Sequence, residues 1–161
     1  MSTPDRLGKR DPLEVLASTI AELAQRIDGK DTAVLQARPF EGKWTPCEIL
    51  GHFVDHEIVS ACRVRTLRFE DEPWMGHYDQ ETWVTVQGHN AADPAELLPR
   101  FAFLRSLNLA QYESLTDLEW HMMKPTPEGE YSLEQLVQRH ANHDLHHLDQ
   151  LTRFLKAMTE G

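Results

Sequence analysis

Apolar residues recur at three- and four-residue intervals in four stretches of the chain. The first holds Leu13, Leu16, Ile20, Leu23 and Ile27. The second holds Ile49, Leu50, Phe53, Val54, Ala61 and Leu67, and the third Leu97, Leu98, Phe101, Leu104 and Leu115. The fourth runs through Leu133, Leu136, Val137, Leu148, Leu151, Phe154, Leu155 and Met158. This is the period of a helix that buries one face. Each stretch is preceded by a start signal. "DPLE" at 11, "TPCE" at 45 and "DPAE" at 93 offer a capping side chain, a proline in the first turn and a glutamate two residues later. "SLEQ" at 132 is a capping box without the proline. Asp28-Gly29 stops the first stretch and Pro73 bounds the second. Helices are therefore expected over 12–28, 45–70, 94–115 and 132–157.

Strand alternation is nearly absent, and "TWVTVQ" at 82–87 is the best candidate. Four long helices without a sheet predict an all-α four-helix bundle. At 161 residues the expectation is a single domain over 1–161. The connections 71–93 and 116–131 are long, and connections of such length often carry function. Their aromatic content places Trp74, Tyr78 and Trp83 over one end of the bundle, as a lid in the sharper version of that expectation.

Charge and composition remove several classes of function. Acidic residues outnumber basic ones, 26 to 16, for a net charge of −10, so neither nucleic acid nor an anionic membrane is an expected partner. No apolar run reaches membrane-spanning length. The opening residues lack the apolar stretch of a secretory signal, which points to the cytoplasm. Cys47 and Cys62 form neither a disulfide framework nor a CxxC pair, and both read as small core residues. Cys47 keeps some interest beside a helix start, where a thiolate is stabilised.

Histidine does change the picture. There are nine, and "HANHDLHH" at 140–147 holds four of them. On a helical wheel His140 and His147 lean toward the apolar stripe of the last helix, His143 lies at its border and His146 on the polar side. His143 and His147 stand one turn apart, where two imidazoles can share one divalent ion. A third ligand must come from another helix. The second helix offers His52 and His56, again four apart. The wheel slightly prefers His56, and spacing alone does not choose. Asp144 falls in the middle of the apolar stripe, where a bare carboxylate is costly. It is expected to accept from a histidine, His140 or His52, and so to orient the ligands. Other centres fit worse. No Glu-x-x-His repeat exists for a di-iron bundle, no CxxCH for haem, no Gly-rich phosphate loop and no GxSxG elbow.

"KWTPCEILGHFVDHE" together with "PTPEGEYSLEQLVQRHANHDLHHLDQL" resembles the DinB-like family, within the wider superfamily of bacillithiol- and mycothiol-dependent transferases. The matching positions are Trp44, Thr45, Pro46 and His52, then Gly129 and Ser132, then His143, His146 and His147. The resemblance implies an up-down-down-up bundle with long connections after its second and third helices. It also implies a divalent metal held by His52, His143 and His147, which decides against His56 as a ligand. Zinc or nickel suits three imidazoles, and iron or manganese is also compatible with the family. The implied function is a metal-dependent enzyme in which a low-molecular-weight thiol attacks a small-molecule electrophile. The alternatives are a metal-dependent hydrolase and a non-catalytic metal-binding bundle. Asp55 and His56 are the candidate acid–base residues, His140 and Asp144 the candidates for orienting the ligands, and a homodimer is the family-level expectation.

Overall fold

The computed structural model describes residues 5–160, and side chains as far as 158. Four long helices dominate. They are α1 (Pro12–Ile27), α3 (Pro46–Phe69), α5 (Pro94–Glu113) and α7 (Leu133–Glu160), and the short helix α2 (Thr32–Gln36) lies between the first two. The start signals work as the sequence predicts. Asp11 accepts from the amides of Leu13 and Glu14. Thr45 accepts from the Glu48 amide at 3.1 Å while the Glu48 carboxylate takes the Thr45 amide at 2.7 Å. Ser132 and Gln135 make the same reciprocal pair, both at 3.1 Å. Each such cap contributes about 1 kcal/mol.

The helices α1 and α3 each pack against both α5 and α7. Two layers of core fill the interior. One is built from Leu16 of α1, Leu67 of α3, Tyr112 of α5 and Leu136 of α7. The other is built from Leu23, Phe53, Phe101 and Leu151 of the same four helices. The layers fix direction: α1 and α7 begin at the end of the bundle where α3 and α5 finish.

The connection from α3 to α5 must therefore travel back along the bundle, and it does so against α3. Met75 is buried beside the first core layer. Helix α4 (Gln80–Val86) and a 3-10 turn at His89–Ala91 follow, and Ala92 reaches the second layer. The segment expected as a strand, 82–87, is thus helical. Its Asp79 cap accepts from the Thr82 amide at 3.1 Å, and that local bond wins over the alternation of its side chains. Gly51 is where the returning chain comes closest. A Cβ there would lie 2.1 Å from Cγ of His89. The second long connection holds α6 (Asp117–His121) and a two-stranded antiparallel hairpin, β1 (Lys124–Thr126) and β2 (Gly129–Tyr131), where no strand was expected. No helix among the described residues is long and apolar enough to cross a membrane.

Because the returning connection covers α3, that helix is enclosed on more than one side. Glu48, His52, Asp55, Glu57 and Arg63 are all buried on it. A wheel drawn for a helix with one wet face could not separate its two histidines for this reason.

Candidate metal centre

Three histidines meet between α3 and α7. His52, His143 and His147 each present a ring nitrogen within 4.8 Å of the others. The Nε2 atoms of His52 and His143 are 2.8 Å apart. His147 Nδ1 donates to Gln150 Oε1 at 2.8 Å, which leaves its Nε2 lone pair for the cluster. His143 Nδ1 lies 3.6 Å from Asp144 Oδ1, which turns its Nε2 the same way. His52 and His147 are buried and His143 half-buried. Burial first, and neighbouring imidazoles second, hold His52 well below the usual histidine range. His147 is lowered in the same way. Burial also lowers His143, with Asp144 opposing. The result is three neutral nitrogen donors aimed at one point, the state in which imidazole ligates a divalent ion.

The family-implied ligand set is thus brought together, and His56 lies beside it. The His56 ring stacks on His143 at 3.5 Å with 11° between planes, and its Nδ1 is 3.4 Å from the Tyr78 hydroxyl. Burial, then His143, lowers its pKa well below the ordinary value. Tyr78 also stacks over His52 at 6.5 Å and packs on Trp83 at 4.9 Å. Trp44 closes the other side, 4.7 Å from His52 and 6.0 Å from His147. Trp74 does not join them: it is 42% exposed and lies under Arg63 instead. His146 is not among the converging nitrogens, and its ring packs edge-on against His147 at 4.9 Å.

Asp55, an acid–base candidate from sequence, has both oxygens engaged. It accepts from Gln87 Nε2 at 2.8 Å and pairs with His89 Nε2 at 2.8 Å, so it ties down the returning connection. The partners expected for Asp144 are also corrected. Its Oδ2 accepts from Thr19 Oγ1 and from Arg105 Nη1, both at 2.7 Å. His140 instead pairs with Glu57 Oε1 at 2.8 Å and takes the Tyr112 hydroxyl on Nδ1 at 3.0 Å. Arg105 also reaches Glu57 at 2.6 Å and the Leu16 carbonyl at 2.7 Å. Burial alone would lower the Arg105 pKa, but Asp144 and Glu57 raise it. His140 and Arg105 in turn hold Glu57 at about 2 against its burial. Arg105 and Glu57 are the residues that the sequence reading missed. Neither sits in a motif, and their partners come from other helices.

Glu57, His140 and Asp144 also come within 4.8 Å of one another. A guanidinium already binds both carboxylates there, so no cation can enter. Cys47 offers no ligand either. It is buried, its thiol faces the His89 carbonyl at 3.2 Å, and burial, then Glu48, pushes its pKa up to about 11. Cys62 is exposed rather than a core residue.

From His56 and His143 a cleft of about 1030 Å³ runs along the seam of α3 and α7, toward Arg63 and Arg139. The segment holding His77 and Tyr78 lines one side of it and the hairpin lines the other.

Comparison with known proteins agrees with this architecture. The pattern defining the DinB superfamily matches residues 16–151. A Bacillus subtilis (strain 168) protein named "Putative metal-dependent hydrolase YfiT" is 24% identical over 148 residues, 91% of this chain and 83% of that one. An Oceanobacillus iheyensis protein named "Putative metal-dependent hydrolase OB0782" is 26% identical over 116 residues, 71% of this chain and 67% of that one. The solved YfiT structure, described as an unusual four-helix bundle, superposes with a TM-score of 0.83 at 22% identity, covering 99% of this chain and 94% of that one. The mycothiol-dependent maleylpyruvate isomerase gives 0.63 at 12% identity, over 90% of this chain and 62% of that one.

Proposed function

Since this chain belongs to the DinB superfamily, we propose that it is a divalent-metal-dependent enzyme whose ion is held by His52, His143 and His147, and that it transfers the sulfur of a low-molecular-weight thiol to a small electrophile. The carrying observation is the convergence of three imidazole nitrogens within 4.8 Å, one of whose residues, His143, lines a cleft large enough for two small reactants. Three protein ligands leave room for a reactant. A divalent ion bound there supplies Lewis acidity, enough to deprotonate a thiol and to lower the pKa of water toward about 7. Zinc or nickel suits the donor set best.

The residues around the cluster favour thiol transfer over hydrolysis. Hydrolysis needs a general base near the nucleophile, most often a histidine or a carboxylate. His56 is a weak base, and the carboxylates closest in the fold hold other partners. Asp144 is bound to Arg105 and Thr19, and Asp55 to Gln87 and His89. A thiol needs only a place for its proton. His56 itself, held well below the usual histidine range, is a weak base, and the cleft that it lines lets the proton pass to solvent. The sulfur then forms its bond to the electrophile, and the leaving group departs with its electron pair. Tyr78 and Trp44 flank the histidines and keep bulk water from the reacting atoms. Hydrolysis of an amide or ester stands as the second reading, supported by the names of the relatives.

The test is metal content by mass spectrometry on protein purified without an affinity tag. About one ion per chain is expected in wild type and in His56→Ala, and none in His52→Ala or His147→Ala. Thiol consumption with an aryl halide is then compared with amide hydrolysis. Wild type that takes up neither zinc nor nickel overturns the reading.

A further inference from the structure

The far end of the cleft holds a second unusual group. Arg63 lies two turns beyond His56 on α3, about 10 Å along the axis, and Arg139 lies one turn before His143 on α7. The two helices run in opposite directions, so both arginines lie toward the same end of the cleft. Arg63 is only 6% exposed. Its Nη2 donates to the Gly76 carbonyl at 2.9 Å, and its guanidinium sits 5.7 Å over the Trp74 ring. Its Nε is buried without a partner. Among the described residues no carboxylate forms an ion pair with it. Glu128, an acid in the same cleft, lies 3.6 Å from Arg139 instead. Burial, then the Arg139 charge, works against the protonated state of Arg63, with Tyr78 and Glu128 opposing.

Arg105 shows what this chain does with an enclosed guanidinium that needs a protein counter-ion: it supplies two carboxylates. Arg63 has no carboxylate, only the Gly76 carbonyl and the Trp74 ring, and an enclosed charge without a counter-ion is costly. The missing charge is what a ligand in the cleft brings.

We propose that Arg63, with Arg139 as the second cation, binds a carboxylate of the substrate, so that the substrate is a small molecule whose carboxylate lies toward the opposite end of the cleft from its reacting atom. The planar guanidinium fork matches a carboxylate. Glu128 and Glu130 also line the cleft and cancel the formal charge of the two arginines, so a single negative charge is accepted and a dianion is repelled. The position of the reacting atom rests on the metal reading above; the carboxylate site does not.

The experiment is calorimetric titration of zinc-loaded and metal-free protein. The probes are S-methylglutathione, its diethyl ester and inorganic phosphate. S-methylglutathione has no free thiol, so it reports the carboxylate site without sulfur–metal bonding. Wild type should bind the acid at least about tenfold more tightly than the ester. R63Q should bind the two equally, R63K should keep part of the preference and R139Q most of it, all with wild-type metal content. Phosphate should not compete. Equal binding of acid and ester by wild type, no binding of either, or full preference in R63Q overturns the proposal. Competition by phosphate at the same concentrations reassigns the site to a phosphate and overturns the carboxylate. If R63Q fails to fold, R63K and R139Q decide, and unchanged preference in both overturns it. If wild type holds no metal but its metal-free form still prefers the acid, the metal reading fails and the carboxylate site stands.

Discussion

Two clusters of polar side chains lie one helical turn apart in this bundle, and their chemistry is opposite. His52, His143 and His147 converge on a point that no protein cation fills. Glu57, His140 and Asp144 converge as closely, but Arg105 stands among them. The difference is in what is left over. In the Arg105 cluster Asn108, Thr19, Tyr112 and the Leu16 carbonyl occupy most of the remaining positions, with Arg105 Nε and Asp144 Oδ1 left over. In the histidine cluster three ring nitrogens face one another with no charged group among them, an arrangement that a cation would resolve. Proximity of ligand-type residues therefore says little until the partners of each atom are counted.

The comparison breaks most forcefully at Arg105. Arg105→Met removes the guanidinium that both buried carboxylates share and should cost about 3–5 kcal/mol in urea unfolding. Neutralising Glu57 and Asp144 together in that background, to Gln and Asn, should recover much of the loss. The histidine cluster should behave in reverse. Zinc at a hundred times its Kd should raise wild-type stability by about 2.7 kcal/mol. His52→Ala should gain nothing from zinc while its metal-free form stays folded. A zinc-induced gain in His52→Ala would erase the distinction between the clusters.

A smaller effect separates both clusters from the covering chain. Gly51→Ala would place its Cβ 2.6 Å from the Cβ of buried His89 and should cost about 1–3 kcal/mol. Metal content should be unchanged, because the strain falls on the side of α3 that carries Asp55 and meets His89. The gentlest discrimination is by pH. His52, His56 and His147 are held well below 6.5, so below that pH the unfolded chain binds protons that the folded one does not. Metal-free protein should then lose stability as pH falls from about 7 toward 5, by up to about 1.4 kcal/mol per pH unit for each proton taken up. Glu57, held at about 2, keeps its contribution until the pH falls below its ordinary value of 4.5. The Arg105 cluster should fail only in the later acid step. Thermal melts across pH, with and without zinc, would resolve the two.

The long helices were legible in the sequence because their information is local: a cap, a proline, a period. The histidine pair of α7 was legible for the same reason. The choice of His52 over His56 was not. It depends on how the returning connection encloses α3, and it came from resemblance. Segment 82–87 alternates like a strand, yet Asp79 starts a helix there. The hairpin at 124–131 was missed because its strands are three residues each. Arg105 and Arg63 carry no motif. Their meaning lies in which distant carboxylates reach them and which do not.

Arg105 also bears on how the molecule assembles. It sits on α5 and touches α1 through the Leu16 carbonyl, α3 through Glu57 and α7 through Asp144. A subset without α3 or α7 leaves Arg105 with one carboxylate instead of two, one without α5 leaves both carboxylates without their guanidinium, and one without α1 loses the Leu16 carbonyl. Partial bundles are penalised by the same side chain that stabilises the complete one. Unfolding should therefore be all-or-none, with coincident loss of helix and of tertiary signal, and chains on the way to the native state should not accumulate as trimmed-down bundles.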